Sequence, residues 1–444
     1  VLGLVAGWFG LGRKSLLDGL RKRFAKKSAE VLEAGEKAYN SGIEFAAAHP
    51  LKTQVEIVPP PHAGKGLYIT DGNNMCAIAA LHAGCRFFGG YPITPSTEIM
   101  QTLSRELPKY GGTVLQCEDE IAGIGAALGA SFGGVKSMTA TSGPGMSLKT
   151  EILGLATIAE LPLVVVNVQR GGPSTGIPTK SEQSDLFQAA FSAHGDVLRP
   201  VLAPISVADT FPITVEAFNM AEEYQTPVVL LSDQDLSQRK ETVAPFDPLA
   251  CKVVERRAPT PEELKSGYKR FALTEDGISP LSHPGMEGGI YLGAGIEHNE
   301  TGAPTSNGDM HIRMNDKRFR KFAPLMKRED LVIEEGDPQA ELALVAWGST
   351  ASICLETLDL AREENLRVKL LIPKLVFPVL EQVYEKFFSG VRAGFVVELS
   401  HQGQLYRILR AYTDVPKGMS SFCRSGANPF RPQELLESLR ALAK

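Results

Sequence analysis

Between Gly66 and about Asp235, short apolar runs alternate with Ala- and Gly-rich stretches of helical length. A run that is apolar at every position has no wet face, so it belongs to a strand covered on both sides. Repeated strand-then-helix order makes that a parallel sheet in an α/β fold. The expected strands are Arg86 to Gly89, Val114 to Cys117, Ser137 to Thr141, Leu163 to Val168 and Pro227 to Leu231. The rhythm fades from about Leu236 to Glu335, where Pro, Gly and charge dominate. It returns with Leu342 to Trp347, Val368 to Ile372 and Gly394 to Glu398, separated by helical patterns at Ala351 to Glu364 and Leu380 to Phe388 and followed by helices at Gln404 to Tyr412 and Pro432 to Leu442. A second, smaller α/β domain is predicted there. The hundred residues between are too many for a bare loop and are read as an irregular segment packed on its neighbours.

Ahead of the first strand, Leu16, Leu20, Phe24, Val31 and Leu32 recur near helical spacing among Lys and Arg, predicting an amphipathic helix that the prolines at Pro59 to Pro61 end. The chain opens on Val1, and its apolar start precedes its basic residues. That is the reverse of a secretion signal, so this end is read as the edge of a fragment. The expected division is therefore 1–60, 61–235, 236–335 and 336–444.

Composition excludes several functions. Lys plus Arg number 46 against 51 Asp plus Glu, a net charge of −5 that offers no surplus for a phosphate backbone, so nucleic acid is not the expected partner. The most apolar stretch, Leu161 to Val168, is far short of the ~20 residues that cross a bilayer. The six cysteines, at 76, 85, 117, 251, 354 and 423, include no C-x-x-C pair. This argues against a zinc site, a disulfide framework or an iron–sulfur cluster held by this chain alone, and fits isolated thiols in a reducing cytoplasm.

Four segments fall where strands end, the edge at which open α/β sheets bind ligands. In Tyr91-Pro-Ile-Thr-Pro-Ser-Thr-Glu98 two prolines bracket Ile93 and Thr94, which would hold the Thr94 hydroxyl rigidly; Thr94 as N-cap with Pro95 at N1 accounts for the same residues without a ligand. In Cys117-Glu-Asp-Glu120, three carboxylates head a helix containing Gly123, Gly125 and Gly129. Each glycine costs about 1 kcal/mol of helix propensity against alanine, which implies close packing against another chain or a cofactor, with one carboxylate buried at the helix head. Thr139-Ala-Thr-Ser-Gly-Pro-Gly-Met146 signals close backbone approach. In Gln169-Arg-Gly-Gly-Pro-Ser-Thr-Gly-Ile-Pro-Thr-Lys180, Arg170 could clamp a carboxylate through its planar fork or close an internal salt bridge, and Thr179 and Lys180 add a hydroxyl and a second cation.

Read together, YPITPSTE, EDEIAGIGAALGAS, TATSGPGMSLKTE and QRGGPSTGIPTKSEQSDL resemble the α subunit of the 2-oxoacid:ferredoxin oxidoreductases, the 2-oxoglutarate enzymes in particular. The resemblance runs from about Gly66 to the C-terminus and takes in GIEHNETGAPTS, LALVAWGSTAS and FVVELSHQGQLYRILR. It implies a pyrimidine-binding domain and a transketolase-C-terminal-like domain, the two parallel-sheet domains of thiamine enzymes, with residues 1–60 as the end of a γ domain. It also implies thiamine diphosphate shared with a β subunit that carries Mg and the [4Fe-4S] cluster, coenzyme A as co-substrate, ferredoxin as electron acceptor, and an αβ heterodimer that dimerises further. Glu118 and Asp119 compete for the carboxylate role, but Glu120 keeps the family's register to Gly125 and Gly129. There it would hydrogen-bond the aminopyrimidine ring nitrogen, beside Tyr91, Pro92 and Ile93. Thr94 and Arg170 would meet the keto-carboxylate end of the substrate, and Thr179 and Lys180 a further carboxylate or coenzyme A. Two cations suit 2-oxoglutarate; pyruvate, a branched-chain 2-oxoacid or a thiamine enzyme without ferredoxin stay open on the sequence.

Overall fold

The structure is a computed structural model describing residues 1–53, 57 and 66–444; the prolines expected to close the first segment lie outside the described residues. The chain forms two compact units, Val1–Leu67 and Tyr68–Lys444.

The first unit is helical. Instead of one amphipathic helix there are three, Leu2–Phe9, Arg13–Phe24 and Ala29–Ala48, because Gly10 takes a left-handed turn after the first and the chain bends between Phe24 and Ala29. The apolar opening is thus a helix in its own right. It crosses the third where Gly3 meets the Tyr39 backbone and Gly42 meets the Leu4 amide, each with no room for a Cβ. The Trp8 indole donates to the His49 carbonyl at 2.8 Å and joins the C-terminal ends of the first and third helices, which run parallel.

Fourteen strands are described in the second unit: β1 (Tyr68–Thr70), β2 (Phe87–Gly90), β3 (Thr113–Gln116), β4 (Ser137–Thr141), β5 (Leu163–Gln169), β6 (Val201–Leu202), β7 (Pro227–Asp233), β8 (Glu241–Val243), β9 (Val332–Gly336), β10 (Leu342–Ala346), β11 (Val368–Pro373), β12 (Leu375–Phe377), β13 (Ala393–Glu398) and β14 (Gly418–Cys423). Seven build one sheet in the order β12-β6-β7-β5-β4-β2-β3, parallel throughout except at β12. Five build a second, β14-β13-β10-β11-β9, parallel except at β9. β1 and β8 pair alone. Central strands β5 and β7 are buried at every residue, the physical origin of their unbroken apolar sequence. The fold class read from the sequence stands, and the strands it missed are β1 and β8, the short β6 and β12, and the edges β9 and β14.

Strand β12 enters the chain after β11, yet it pairs antiparallel with β6, Leu375 opposite Leu202 and Phe377 opposite Val201. The C-terminal half thereby supplies an edge strand to the N-terminal sheet. The segment between the halves is not bare: it holds the helix Gly308–Arg320, which is anchored by a wholly buried ion cluster. Lys317 Nζ lies 2.5 Å and Lys321 Nζ 3.5 Å from the Glu160 carboxylate, and Arg270 donates to the Glu160 carbonyl at 2.6 Å. No described helix is long and apolar enough to cross a membrane.

Candidate active site

Strands β5, β4, β2 and β3 are neighbours in the sheet, and they are the strands whose ends carry the four motifs. Parallel pairing brings all four loops to one edge.

At the end of β3, Asp119 caps the helix Glu120–Phe132 by accepting from the Ala122 amide. Glu118 and Asp119 are exposed, whereas Glu120 is buried, and its carboxylate receives no hydrogen bond from a described residue. Its position is set from the end of β4. A Cβ on Gly145 would lie 2.6 Å from Glu120 Oε1 and 2.1 Å from Thr141 Oγ1, so the Ser142-Gly-Pro-Gly145 turn is a cradle for this side chain. Part of the glycine-rich helix packs within its own fold. Gly123 lies on Gly90 of its own sheet, where a Cβ would come 2.8 Å from the Gly90 Cα, while Gly129 has open space around it. Its close packing at Gly123 is therefore internal, made possible by the paired glycines of β2.

Beneath Glu120 sits a residue whose sequence gave no separate signal. Lys149 is fully buried, and its ammonium donates to the Glu120 carbonyl at 2.9 Å and to Thr139 Oγ1 at 3.2 Å. Burial pulls its pKa down to about 8 against the opposing pull of Glu120, Cys117 and Asp119. A lysine in a helix usually reads as a solvated surface residue; the clue available was its place amid the small and apolar residues of GPGMSLKTEILGL.

Arg170 follows β5 and is buried. Its Nη1 donates to the Thr94 carbonyl at 2.5 Å, joining two of the sequence candidates directly. Its Nε has no partner and its guanidinium forms no ion pair with a described residue, so the internal salt bridge considered for it is not formed. Burial lowers its pKa and Asp185 opposes that shift. Thr94 itself is exposed and is not the helix cap: the helix is Thr97–Glu106, with Ser96 at the N-cap position. The reason is local, because Ser96 Oγ bonds back to the Ile93 carbonyl and Asn73 holds the Pro95 carbonyl, keeping residues 93–96 in a turn. Tyr91 is exposed on the same loop, with Pro92 and Ile93 half-buried.

A cavity of about 800 Å³ opens beside Arg170, walled by Gly143, Glu182 and Asp185 from the first half and by His401 and Gln404 from the second. Asp185 is a further residue the sequence reasoning passed over, although it sits in the quoted SEQSDL. Burial pushes its carboxyl up to about 6, with Asn167 and Arg170 pulling the other way. Thr179 and Lys180 are not brought into this cavity. Both are exposed and line a separate one of about 570 Å³, against Ser349 and Phe430. The loop that separates the two cavities is fixed at its far end by the buried Gln183, which donates to the Trp347 carbonyl at 2.7 Å and accepts from the Leu399 amide at 2.9 Å.

A sheet edge carrying a buried glutamate, its carboxylate without a hydrogen bond from a described residue, beside a glycine cradle and a buried guanidinium that forms no direct ion pair, is the kind of edge a thiamine-enzyme pyrimidine domain presents. The residues present fit that group, since the free Glu120 carboxylate is an acceptor for a ring nitrogen. Comparison makes the class specific. Residues 78–317 match the family model "Pyruvate flavodoxin/ferredoxin oxidoreductase, thiamine diP-bdg". The chain is 38% identical over 381 residues to 2-oxoglutarate synthase subunit KorA of Methanothermobacter thermautotrophicus, covering 84% of this chain and 98% of that one. It is 33% identical over 458 residues to 2-oxoacid:ferredoxin oxidoreductase 2, subunit alpha, of Aeropyrum pernix, covering 98% of this chain and 71% of that one. A solved structure of 2-oxoglutarate:ferredoxin oxidoreductase from Magnetococcus marinus with 2-oxoglutarate, coenzyme A and succinyl-CoA bound superposes with a TM-score of 0.92 at 38% identity, over 100% of this chain and 77% of that one. The chain belongs to the α subunits of the 2-oxoacid:ferredoxin oxidoreductase family.

Proposed function

We propose that this chain, with a β subunit, oxidatively decarboxylates 2-oxoglutarate to succinyl-CoA and CO2 with electrons passing to ferredoxin, and that the reaction is reversible. The observation that carries the reading is the Arg170–Thr94 pair: a buried guanidinium that forms no direct ion pair, held at the same sheet edge as the free carboxylate of Glu120. Burying such a cation is costly unless an anion completes it. A 2-oxoacid carboxylate has the planar geometry to do so.

Thiamine diphosphate, when bound, supplies the nucleophilic carbon and electron sink for decarboxylation. Glu120 would hold the pyrimidine ring nitrogen and share its proton, with Tyr91, Pro92 and Ile93 forming the neighbouring wall. Arg170 would orient the substrate carboxylate, and the Thr94 hydroxyl would stabilise the charge that develops on the keto oxygen. Thr179 and Lys180 are assigned to the far carboxylate. They share the loop that Arg170 opens, and the assignment requires the exposed stretch 172–180 to turn them toward Arg170 on binding. Mg and the [4Fe-4S] cluster are assigned to the β subunit, coenzyme A to the acyl-transfer step, and the assembly to a cytoplasmic αβ heterodimer that pairs again. Residues 1–60 are read as the end of a γ domain.

The test is anaerobic co-purification of the complex and coenzyme-A-dependent dye reduction with 2-oxoglutarate, pyruvate and branched-chain 2-oxoacids. 2-Oxoglutarate is expected to give the highest kcat/KM, and a preference for another acid overturns the substrate assignment. Glu120→Ala is expected to lower kcat by about 10²- to 10⁴-fold, the range of a lost proton-transfer partner, with assembly intact. Full activity in that variant overturns the site.

A further inference from the structure

Resting on the assignment of Glu120 above, we propose that Lys149 is a positioning residue of this reaction: its buried ammonium fixes the first turn of the Glu120 helix and supplies the positive charge beneath its head.

The geometry separates this from ordinary packing. Lys149 lies between the helices Gly143–Leu148 and Thr150–Ile158, so one residue connects the glycine cradle around Glu120, strand β4 through Thr139, and the Glu120 main chain. An ammonium has three donors, and two acceptors are in place. An apolar side chain would fill the same space without the desolvation cost of a buried charge. What only the ammonium adds is positive charge under the head of the helix. The groups that face it are Glu120 and Asp119 at that head and Cys117 in the turn before it, all acidic in type. A cation there places positive charge beneath the turn whose carboxylate would meet the ring nitrogen. The nearness of its pKa, about 8, to neutrality puts the loss of this charge on the mildly alkaline side.

The experiment uses the assembled complex. Lys149→Met keeps length and removes charge. Its expected result is a fall in kcat of about 10- to 100-fold at neutral pH, the usual cost of removing a group that orients a catalytic one. The alkaline limb of the wild-type pH profile is expected to disappear with it. Thiamine diphosphate affinity, read by calorimetry across the same pH range, should lose its alkaline weakening in the variant. Thr139→Val leaves the charge and removes one acceptor, so the alkaline limb should move to lower pH. Glu120→Ala is run alongside. If Glu120→Ala is inactive while Lys149→Met keeps wild-type kcat, pH profile and cofactor affinity, this inference falls and the site assignment survives. If Glu120→Ala is active, both fall. Should Lys149→Met fail to assemble, Thr139→Val decides: an unmoved alkaline limb overturns the proposal.

Discussion

Gly145→Ala is the smallest change that should disable the site without touching a titratable group. The added methyl would sit 2.6 Å from Glu120 Oε1, 2.7 Å from Glu120 Cγ and 2.1 Å from Thr141 Oγ1, whereas ordinary contact begins at 3.4 Å. Relief therefore demands displacement of the carboxylate by about 0.8 Å, and the Thr141 hydroxyl must move further. The clash reaches Cγ as well as the carboxylate oxygen, so turning the end of the side chain is not enough. A misplacement of about 1 Å at a reacting group costs on the order of 10²-fold in rate, and overpacking a filled interior costs about 1–3 kcal/mol. The expected outcome is thus a complex that assembles, melts slightly earlier and turns over about 100-fold more slowly, with KM for the 2-oxoacid little changed because Arg170 is untouched. Gly129→Ala is the control. It lies on the Glu120 helix with nothing within 4 Å, and by helix propensity alone it should stabilise the purified chain by up to about 1 kcal/mol. Dye reduction and thermal unfolding measure both. Wild-type kcat in Gly145→Ala would refute the claim that the turn sets the carboxylate's position.

Two further predictions concern stability. Burial opposes ionisation of Glu160, but Lys317, Lys321 and Arg270 outweigh it and hold the carboxyl well below its usual range. A depressed folded-state pKa means that its contribution is complete above pH ~4.5 and is lost as pH falls through the folded value. Glu160→Gln should cost about 3–5 kcal/mol by denaturant unfolding near neutrality and flatten the acid limb; an unaffected variant would show that the cluster is not a stabilising unit. Asp185 has the opposite sign, with a folded-state pKa of about 6 against 3.8, so its penalty grows as pH rises between those values and is complete above the higher one. Asp185→Asn should therefore raise the melting temperature at neutral pH but not below pH ~3.8, while lowering turnover by removing the acid that faces Arg170. A lower melting temperature at neutral pH would refute it.

Much of the layout was legible because buried parallel strands have a one-letter signature. Strand β4 was located to the residue, and β5 and β7 to within two residues at one end. The motif loops could be grouped because each followed such a strand. What escaped detection shares a cause: partners distant in sequence. Strand β6 is two residues long and β12 three, and neither has a pattern until the other is beside it. Lys149 and Glu160 look like surface charges until the elements that bury them are in place. The alternative that Thr94 caps a helix, suggested by a Thr-Pro opening, is not realised, because the turn held by Ser96 and Asn73 delays the helix to Thr97. Among the candidates, Glu120 was singled out from its two neighbours by register, and the structure makes it the buried one. For Thr179 and Lys180, nearness in sequence to Arg170 did not become nearness in space.

The pairing of β12 with β6 bears on how the large cavity can open. A ligand entering between two independent lobes could rely on one lobe swinging away. Here that swing would have to unzip the edge of a sheet and withdraw Gln183 from the strand ends it clips. The two halves are therefore stitched, and opening by that route would break both ties. The same stitch bears on how such chains diversify. A C-terminal half exchanged from a relative would have to bring a strand that still fits a foreign edge, so the halves are expected to have changed together rather than been traded.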